Sequence, residues 1–455
     1  PRMVRSKLPE RPNILWVFGD QHRAQALSCA GDPNVDTPNL DLLGVNGLRF
    51  TNAVAGMPLC CPFRGSLITS RYPHECVPGH EYPLPADQKT VAHAFRDAGY
   101  HTAWFGKWHL GGFQERNGRA ALAPVAKELR GGFDQWLGYD NNNAQWDCWV
   151  HGHDTQGNQI EHYRLPGFET DCLTDLLIDY FRGRASLKQE AAEPFFAALS
   201  VQPPHNPYQA PEEFMRGHNP ARLELRPNVP PIPRVEETAR RDLAGYYAQI
   251  ENLDWNFGRI VEALRETGLW DNTLVLFFSD HGDMHGSHGQ GKKMTPYEES
   301  LKIPFIIGGG ASRYSHACGT SDVPVNHVDI APTSLGLANI DVPEWMNGTD
   351  CSSFFSSPQG DTPEMDSAYL QSVIPTKHGD SIDVPWRGIM TRDGWKYVCF
   401  EHNVFMMFDL NEDPFELNNM AHNSKYRGKR RELHERLQKW IDHTKDDFTL
   451  PELPV

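Results

Sequence analysis

Several short segments place reactive side chains just beyond apolar runs. Asp20-Gln21 follows the run 13–18 and offers a carboxylate and an amide oxygen to a hard cation; the simpler reading of the Asp is a helix N-cap. Asp280-His281-Gly282-Asp283 closes the run 273–278 and adds an oxygen and a nitrogen donor, although Asp and Gly are also ordinary turn residues. Gly106-Lys107-Trp108-His109 sets a cation and an acid/base two positions apart. Residues i and i+2 of an extended segment share a face, so both can enter one pocket, which suits an anionic substrate and a proton transfer. His205 follows two prolines that stiffen its turn, and Lys293 follows a Gly/His-rich loop. Read singly, Lys-x-His, His205 and Lys293 are ordinary solvated surface. Cys60-Cys61-Pro62-Phe63-Arg64 sets a thiol near a guanidinium and reads either as a nucleophile or as a buried structural cysteine.

The elements that must position these groups argue for pooling them. Runs 13–18, 101–105, 194–201, 273–278 and 303–307 read as buried strands, and stretches 90–97, 173–181 and 236–267 as helices between them. Continuous apolar strands alternating with helices imply a mostly parallel sheet covered on both faces. Ligands of such sheets bind outside the carboxyl ends of the strands, where these polar clusters fall. Segment 113–167 differs: it is rich in Gly, Asn, Asp and aromatics (Trp136, Tyr139, Trp146, Trp149, Tyr163) and weak in periodicity. It reads as an insertion over the mouth of the sheet, its aromatics either stacking on sugar rings or forming a satellite hydrophobic cluster. A Ser/Pro/Gly-rich break at 352–363 divides a catalytic unit, 1–355, from a C-terminal unit, 356–455. The latter holds a hairpin over 388–400, a strand over 405–410 and an amphipathic helix over 429–445.

Composition narrows the classes. With 22% charged and 39% hydrophobic residues, the 455-residue chain reads as globular rather than disordered. A net charge of −16 argues against nucleic acid as a partner, and no apolar run is long enough to span a membrane. No signal-peptide core precedes the first strand run, so a cytoplasmic setting with reduced thiols is expected. The nine cysteines are scattered without CxxC spacing, which argues against a zinc site.

The order of the motifs resembles the formylglycine-dependent sulfatases of the alkaline phosphatase superfamily. The likeness runs along nearly the whole chain: Arg11-Pro12-Asn13-Ile14-Leu15 before Asp20, Thr37-Pro38-Asn39, Cys-x-Pro-x-Arg at Cys60, Pro62 and Arg64, Leu67-Ile68-Thr69-Ser70-Arg71-Tyr72-Pro73, Gly106-Lys107-Trp108-His109, Pro204-His205, Ser279-Asp280-His281-Gly282, Lys293, Val328-Asp329-Ile330-Ala331-Pro332-Thr333 and Asp413-Pro414. The resemblance implies an α/β fold with an alkaline-phosphatase-like, mostly parallel central sheet flanked by helices, and a smaller C-terminal α+β subdomain. It implies that a formylglycine-generating enzyme oxidises Cys60, rather than Cys61, to an aldehyde whose hydrate attacks sulfur. Asp20, Gln21, Asp280 and His281 match the positions that, with residue 60, ligate a divalent metal. Arg64 matches the group that holds the hydrate, His109 the base helped by Lys107, and His205 and Lys293 the sulfate clamp that protonates the leaving oxygen. His80 matches a substrate-lining position. Gln21 departs from the paired Asp of many members and His281 from the Asn of some, which leaves Ca2+ the expected ion and opens the site to Mn2+ or Mg2+. The implied activity is hydrolysis of a sulfate ester, of a carbohydrate or another alcohol. The competing readings are a phosphonate monoester or phosphodiester hydrolase of the same superfamily and an inactive sulfated-glycan binder.

Overall fold

The computed structural model describes residues 8–188, 192–315, 318–356, 362–377 and 382–453. Ten strands build the main sheet: β1 (Asn13–Gly19), β2 (Leu48–Phe50), β3 (His101–Lys107), β4 (Gln135–Tyr139), β5 (Trp149–His153), β6 (Gln159–Arg164), β7 (Phe195–Ser200), β8 (Thr273–Ser279), β9 (Phe305–Gly308) and β10 (Gly319–Ser321). Their order is β10-β2-β9-β8-β1-β7-β3-β4-β5-β6. Strands β8, β1, β7, β3 and β4 run parallel, while β9, β5 and β6 lie antiparallel to their neighbours. The mostly parallel sheet foreseen from the apolar runs is therefore present.

The period of two along β1 divides the core. Ile14, Trp16 and Phe18 face one side with Phe196, Leu276 and Phe278, under α2 (Cys60–Thr69), α3 (Val91–Asp97) and α8 (Ile330–Leu337). On the other side lie Leu15, Val17, Leu199 and Phe277, covered by α1 (Pro38–Val45), α4 (Glu169–Ala185) and the long α6 (Pro233–Glu266). Both faces are shielded from water, so the strands read as unbroken apolar runs. Register sets the functional edge: Phe18 lies opposite Ser200, Gly19 opposite Ser279 and Gly106 opposite Ser200. The residues that follow β1, β7, β8 and β3 therefore emerge together.

Segment 113–167 departs from the insertion expected of it. It supplies β4, β5 and β6, which prolong the sheet beyond β3. Trp136 and Tyr139 are fully buried on opposite sheet faces, so these aromatics serve the core; Trp146 and Tyr163 stay exposed. A short strand buried on both faces carries no alternation, which explains the weak periodicity.

Short helices α5 (Glu212–Met215), α7 (Glu298–Leu301) and α9 (Ser352–Ser356) connect the larger elements. A second sheet, antiparallel, comprises β11 (Ser367–Ser372), β12 (Trp386–Thr391), β13 (Trp395–Cys399) and β14 (Val404–Asp409). One of its faces packs on α10 (Arg427–Thr444) through Leu433, Leu437 and Ile441; the other meets Val54 and Leu301 of the main body. Among the described residues no helix is long and apolar enough to cross a membrane.

A buried ion cluster joins the two sheets. Lys396 of β13 has its ammonium 2.6 Å from Glu298 and 2.8 Å from Glu416 and is fully shielded from solvent. Lys396→Met leaves the buried Glu416 without its counter-charge, while Glu298 keeps Lys302 at 2.6 Å, and is expected to lower unfolding stability by about 3 kcal/mol. Denaturant titration checks this, and Lys396→Met/Glu416→Gln should recover part of the loss.

Candidate active site

The centre is built around the first turn of α2. Cys60 is its first residue, Leu59 before it is extended, and the whole helix is buried. Pro62 is tolerated there because the N–H it lacks would have no partner within the helix. Arg64, four residues after Cys60, falls on the same helix face. Its Nη1 donates to the Lys107 carbonyl oxygen (3.0 Å) and to Ser200 Oγ (2.9 Å), and Nη2 donates to Asp280 Oδ2 (3.2 Å). The guanidinium also lies over the Phe18 ring, 5.3 Å from its centroid. The ends of β1, β3, β7 and β8 thus all touch Arg64.

Four donors converge beside it. The Cys60 sulfur lies 3.6 Å from Asp20 Oδ1 and 3.2 Å from His281 Nε2, and that nitrogen lies 3.4 Å from Asp20 Oδ1 and 3.5 Å from Asp280 Oδ1. All four residues are buried. His281 Nδ1 faces the Gly282 carbonyl oxygen at 2.9 Å and must donate to it, which leaves Nε2 as the nitrogen turned toward the carboxylates. Gln21 sits in the left-handed region (φ 66). Its amide Nε2 donates to Asp283 Oδ2 (2.8 Å) and its Oε1 accepts from Lys293 Nζ (3.1 Å), so both ends of the side chain are fixed.

Two ammonium groups complete this cluster. Lys107 pairs with Asp20 through a short contact, and Lys293 Nζ reaches the Cys60 sulfur at 3.1 Å. Gly106 lets β3 deliver Lys107: its φ is +100, and a Cβ there would run into the Ser200 carbonyl. Burial alone would raise the Asp20 carboxyl, but Lys107, His205, Lys293 and His281 outweigh it and hold the group well below the usual carboxylate range. Burial, reinforced by Asp20 and opposed by Lys293 and Lys107, pushes the Cys60 thiol up to about 11. As an unmodified cysteine, residue 60 is a protonated thiol and a weak nucleophile.

The three other histidines occupy separate places. His205 is buried, and its Nδ1 donates to the Asn206 carbonyl oxygen (2.7 Å); Gln145 and Gln249 hold the His205 carbonyl from outside. His109 does not continue the extended geometry of β3. Its left-handed backbone (φ 57) turns the ring toward His80, edge-on at 5.5 Å between centroids. Burial, then Lys107, His80 and Arg64, keep His109 well below the usual imidazole range, so it is neutral. Neither of its ring nitrogens has a hydrogen-bond partner among the described residues. His80 lies at the rim with its side chain 23% exposed, grouped with Cys61 and His109 rather than with the Asp20–Asp280 donors.

Two residues escaped the sequence reading. Asp283 lies within the quoted strand-end segment but was given no role; it accepts from Gln21 and, at 2.6 Å, from the Tyr208 hydroxyl. Ser200, which anchors Arg64, is a lone serine at a strand end and carries no local signal.

Comparison with known proteins agrees with this geometry. The family described as Sulfatase matches residues 12–340, and the one described as N-sulphoglucosamine sulphohydrolase, C-terminal, matches residues 286–443. The chain is 33% identical to the ulvan-active sulfatase of Formosa agariphila, over 97% of this chain and 83% of that protein. With the endo-4-O-sulfatase of Bacteroides thetaiotaomicron it shares 28% identity over 92% and 90% of the two chains. The crystal structure of yidJ from Bacteroides fragilis superposes with a TM-score of 0.82 at 27% identity, covering 98% of each chain. Fold, strand-end cluster and relatives together place the chain in the sulfatase family of the alkaline phosphatase superfamily, as a sulfuric ester hydrolase.

Proposed function

We propose that the chain hydrolyses a sulfate ester of a carbohydrate, using a formylglycine made from Cys60 and one divalent metal ion, Ca2+ in the first instance. The observation that carries this reading is the convergence of the Asp20, Cys60, Asp280 and His281 donors, with Arg64, Lys107 and Lys293 around them. Two donors at right angles on a coordination sphere of ~2.4 Å lie ~3.4 Å apart. The separations of 3.2, 3.4, 3.5 and 3.6 Å fit neighbours on one such sphere. Asp20, Gln21, Asp280, His281 and residue 60 would hold the ion. Three oxygens favour Ca2+ and also admit Mg2+; the nitrogen of His281 suits Mn2+ better than either. Such an ion supplies Lewis-acid polarisation and activates a hydroxyl nucleophile.

Residue 60, if converted to formylglycine by a formylglycine-generating enzyme, would supply as the aldehyde hydrate one hydroxyl able to attack sulfur as the alcohol leaves, and a second whose deprotonation would restore the aldehyde as sulfate departs. The chain's own residues do the rest. Arg64, fixed by three acceptors, holds residue 60 in place and offsets its charge. His109, neutral and with no hydrogen-bond partner on either nitrogen among the described residues, accepts the proton of the second hydroxyl. Lys107 helps hold His109 neutral, and Lys293 meets the sulfate oxygens with a cation already in position, which stabilises charge as it develops. His205 has Nδ1 committed to Asn206, so Nε2 is the nitrogen that protonates the leaving oxygen. His80 faces the substrate from the rim.

The sugar reading rests on the relatives, which are named for ulvan and for endo-4-O-sulfatase action. A cavity of about 270 Å³ supports it, its lining mixing Ala120, Ala121 and Ala144 with Glu115, Arg119 and Asn141. Gln202, three residues before His205, donates to Asn141 and Asn143 there. Comparative turnover tests the reaction class. Nitrophenyl sulfate should exceed nitrophenyl phenylphosphonate by at least ~100-fold in kcat/KM, the size of discrimination one pocket can supply. A phosphonate preference would instead assign the rival hydrolase activity.

A further inference from the structure

We propose that Cys61, His80 and His109 form a second metal site that takes Zn2+ and, when filled, stops turnover. Their donor atoms all lie within 4.8 Å of one another, and none belongs to the Asp20–Cys60–Asp280–His281 set. Cys61 and His109 are buried, while His80 is partly exposed and gives an ion a way in from solvent. One sulfur and two imidazole nitrogens are the ligands of a tetrahedral zinc centre with its fourth position open. Tetrahedral zinc sets such donors ~3.3–3.6 Å apart, so donors within 4.8 Å need to draw in by about 1 Å. Cys61 is the second residue of α2, and its sulfur already accepts from the Glu81 N–H at 3.3 Å. Burial pushes its thiol well up, so the incoming ion itself must displace the proton.

Hardness keeps the two sites distinct. Carboxylate and amide oxygens select Ca2+, whereas a thiolate with two imidazoles selects Zn2+. On binding, the Cys61 S–H bond breaks, its proton leaves to solvent and a sulfur–zinc bond forms, with no change of oxidation state. The ion occupies a His109 nitrogen, so His109 can no longer accept a proton. This consequence for turnover, unlike the site itself, rests on the base role given to His109 above.

Cobalt(II) is the probe. Ca2+-saturated enzyme titrated with Co2+ should show one equivalent of thiolate-to-cobalt charge-transfer absorption, displaced by Zn2+. In Cys61→Ser that absorption should vanish and basal turnover should persist. The Zn2+ concentration that halves activity should rise at least ~10-fold, on the scale of disrupting a metal's supporting residues. His80→Ala should weaken cobalt binding in the same assay. Thiolate absorption that persists in Cys61→Ser, or no absorption in the wild type, would overturn the site. Absorption that depends on Cys61 while turnover continues at saturating Zn2+ would leave the site standing and remove His109 from the base role.

Discussion

Cys60→Ala is expected to lower turnover of sulfate esters by on the order of 10⁴-fold or more, the scale of losing a covalent nucleophile. The change removes one buried sulfur at the start of α2 and leaves the Arg64 contacts with Lys107, Ser200 and Asp280 in place. Stability should therefore fall by no more than about 1 kcal/mol, the centre of the distribution for point changes. Unfolding curves measured beside steady-state rates separate the two effects. Peptide mass spectrometry of the Cys60 segment from active enzyme gives a second reading: an aldehyde should replace the thiol. Activity retained in Cys60→Ala would refute the nucleophile assignment. The protonated state of the buried Cys60 thiol makes direct thiolate attack a poor alternative.

Asp280→Asn should produce the second largest loss, by a different route. It removes one of the two carboxylates in the donor set and leaves Arg64, Lys107 and Lys293 around Asp20. Metal affinity should drop by more than the roughly 10–100-fold typical of an outer partner. Turnover should fall on the order of 10³-fold, comparable to losing a well-placed charge stabiliser. The variant also takes the nearer of two carboxylates from the buried Arg64 and leaves it Asp20 at 3.6 Å, so its absolute stability falls even without metal. The decisive quantity is the increment that metal adds. For the wild type, Ca2+ at 100 times its dissociation constant should raise unfolding stability by about 2.7 kcal/mol, and in Asp280→Asn this increment should disappear. An equal increment in both proteins would remove Asp280 from the ligand set.

Gln21, expected from the resemblance to be a departure from the paired Asp of many members, has a physical setting in the structure. Its amide bridges Lys293 on one side and Asp283 on the other. A carboxylate at this position would face Asp283 without a donor for it. The amide permits a third acid behind the donor set, and Tyr208 satisfies that acid from the far side.

Much of the architecture was legible because it follows from local pattern. The runs that became β1, β3, β7, β8 and β9 are apolar on both faces, and helices intervene among them, so a covered, mostly parallel sheet was the natural reading. That sheet type places Asp20, Lys107, His205 and Asp280 at one edge before any coordinates are known. The resemblance to the family's Cys-x-Pro-x-Arg element also separated Cys60 from Cys61, because only Cys60 has Pro and Arg at the second and fourth following positions. Other features had no local signature. The strands β4–β6 hide in a segment where the aromatics of β4, Trp136 and Tyr139, are buried on both sheet faces while the edge strand β6 is largely exposed. The left-handed turn of His109, the Ser200 anchor of Arg64 and the Asp283 contact with Gln21 all depend on chain segments far apart in sequence. The Cys61–His80–His109 group is the sharpest case: cysteine spacing argued against zinc, yet residues 19 and 29 positions apart bring their donors within 4.8 Å. Sequence by itself determined which residue types stand at the strand ends, since burial and periodicity are written locally. Only the tertiary structure decided which of them touch, because contact is set by register and packing between distant segments, which no local pattern records.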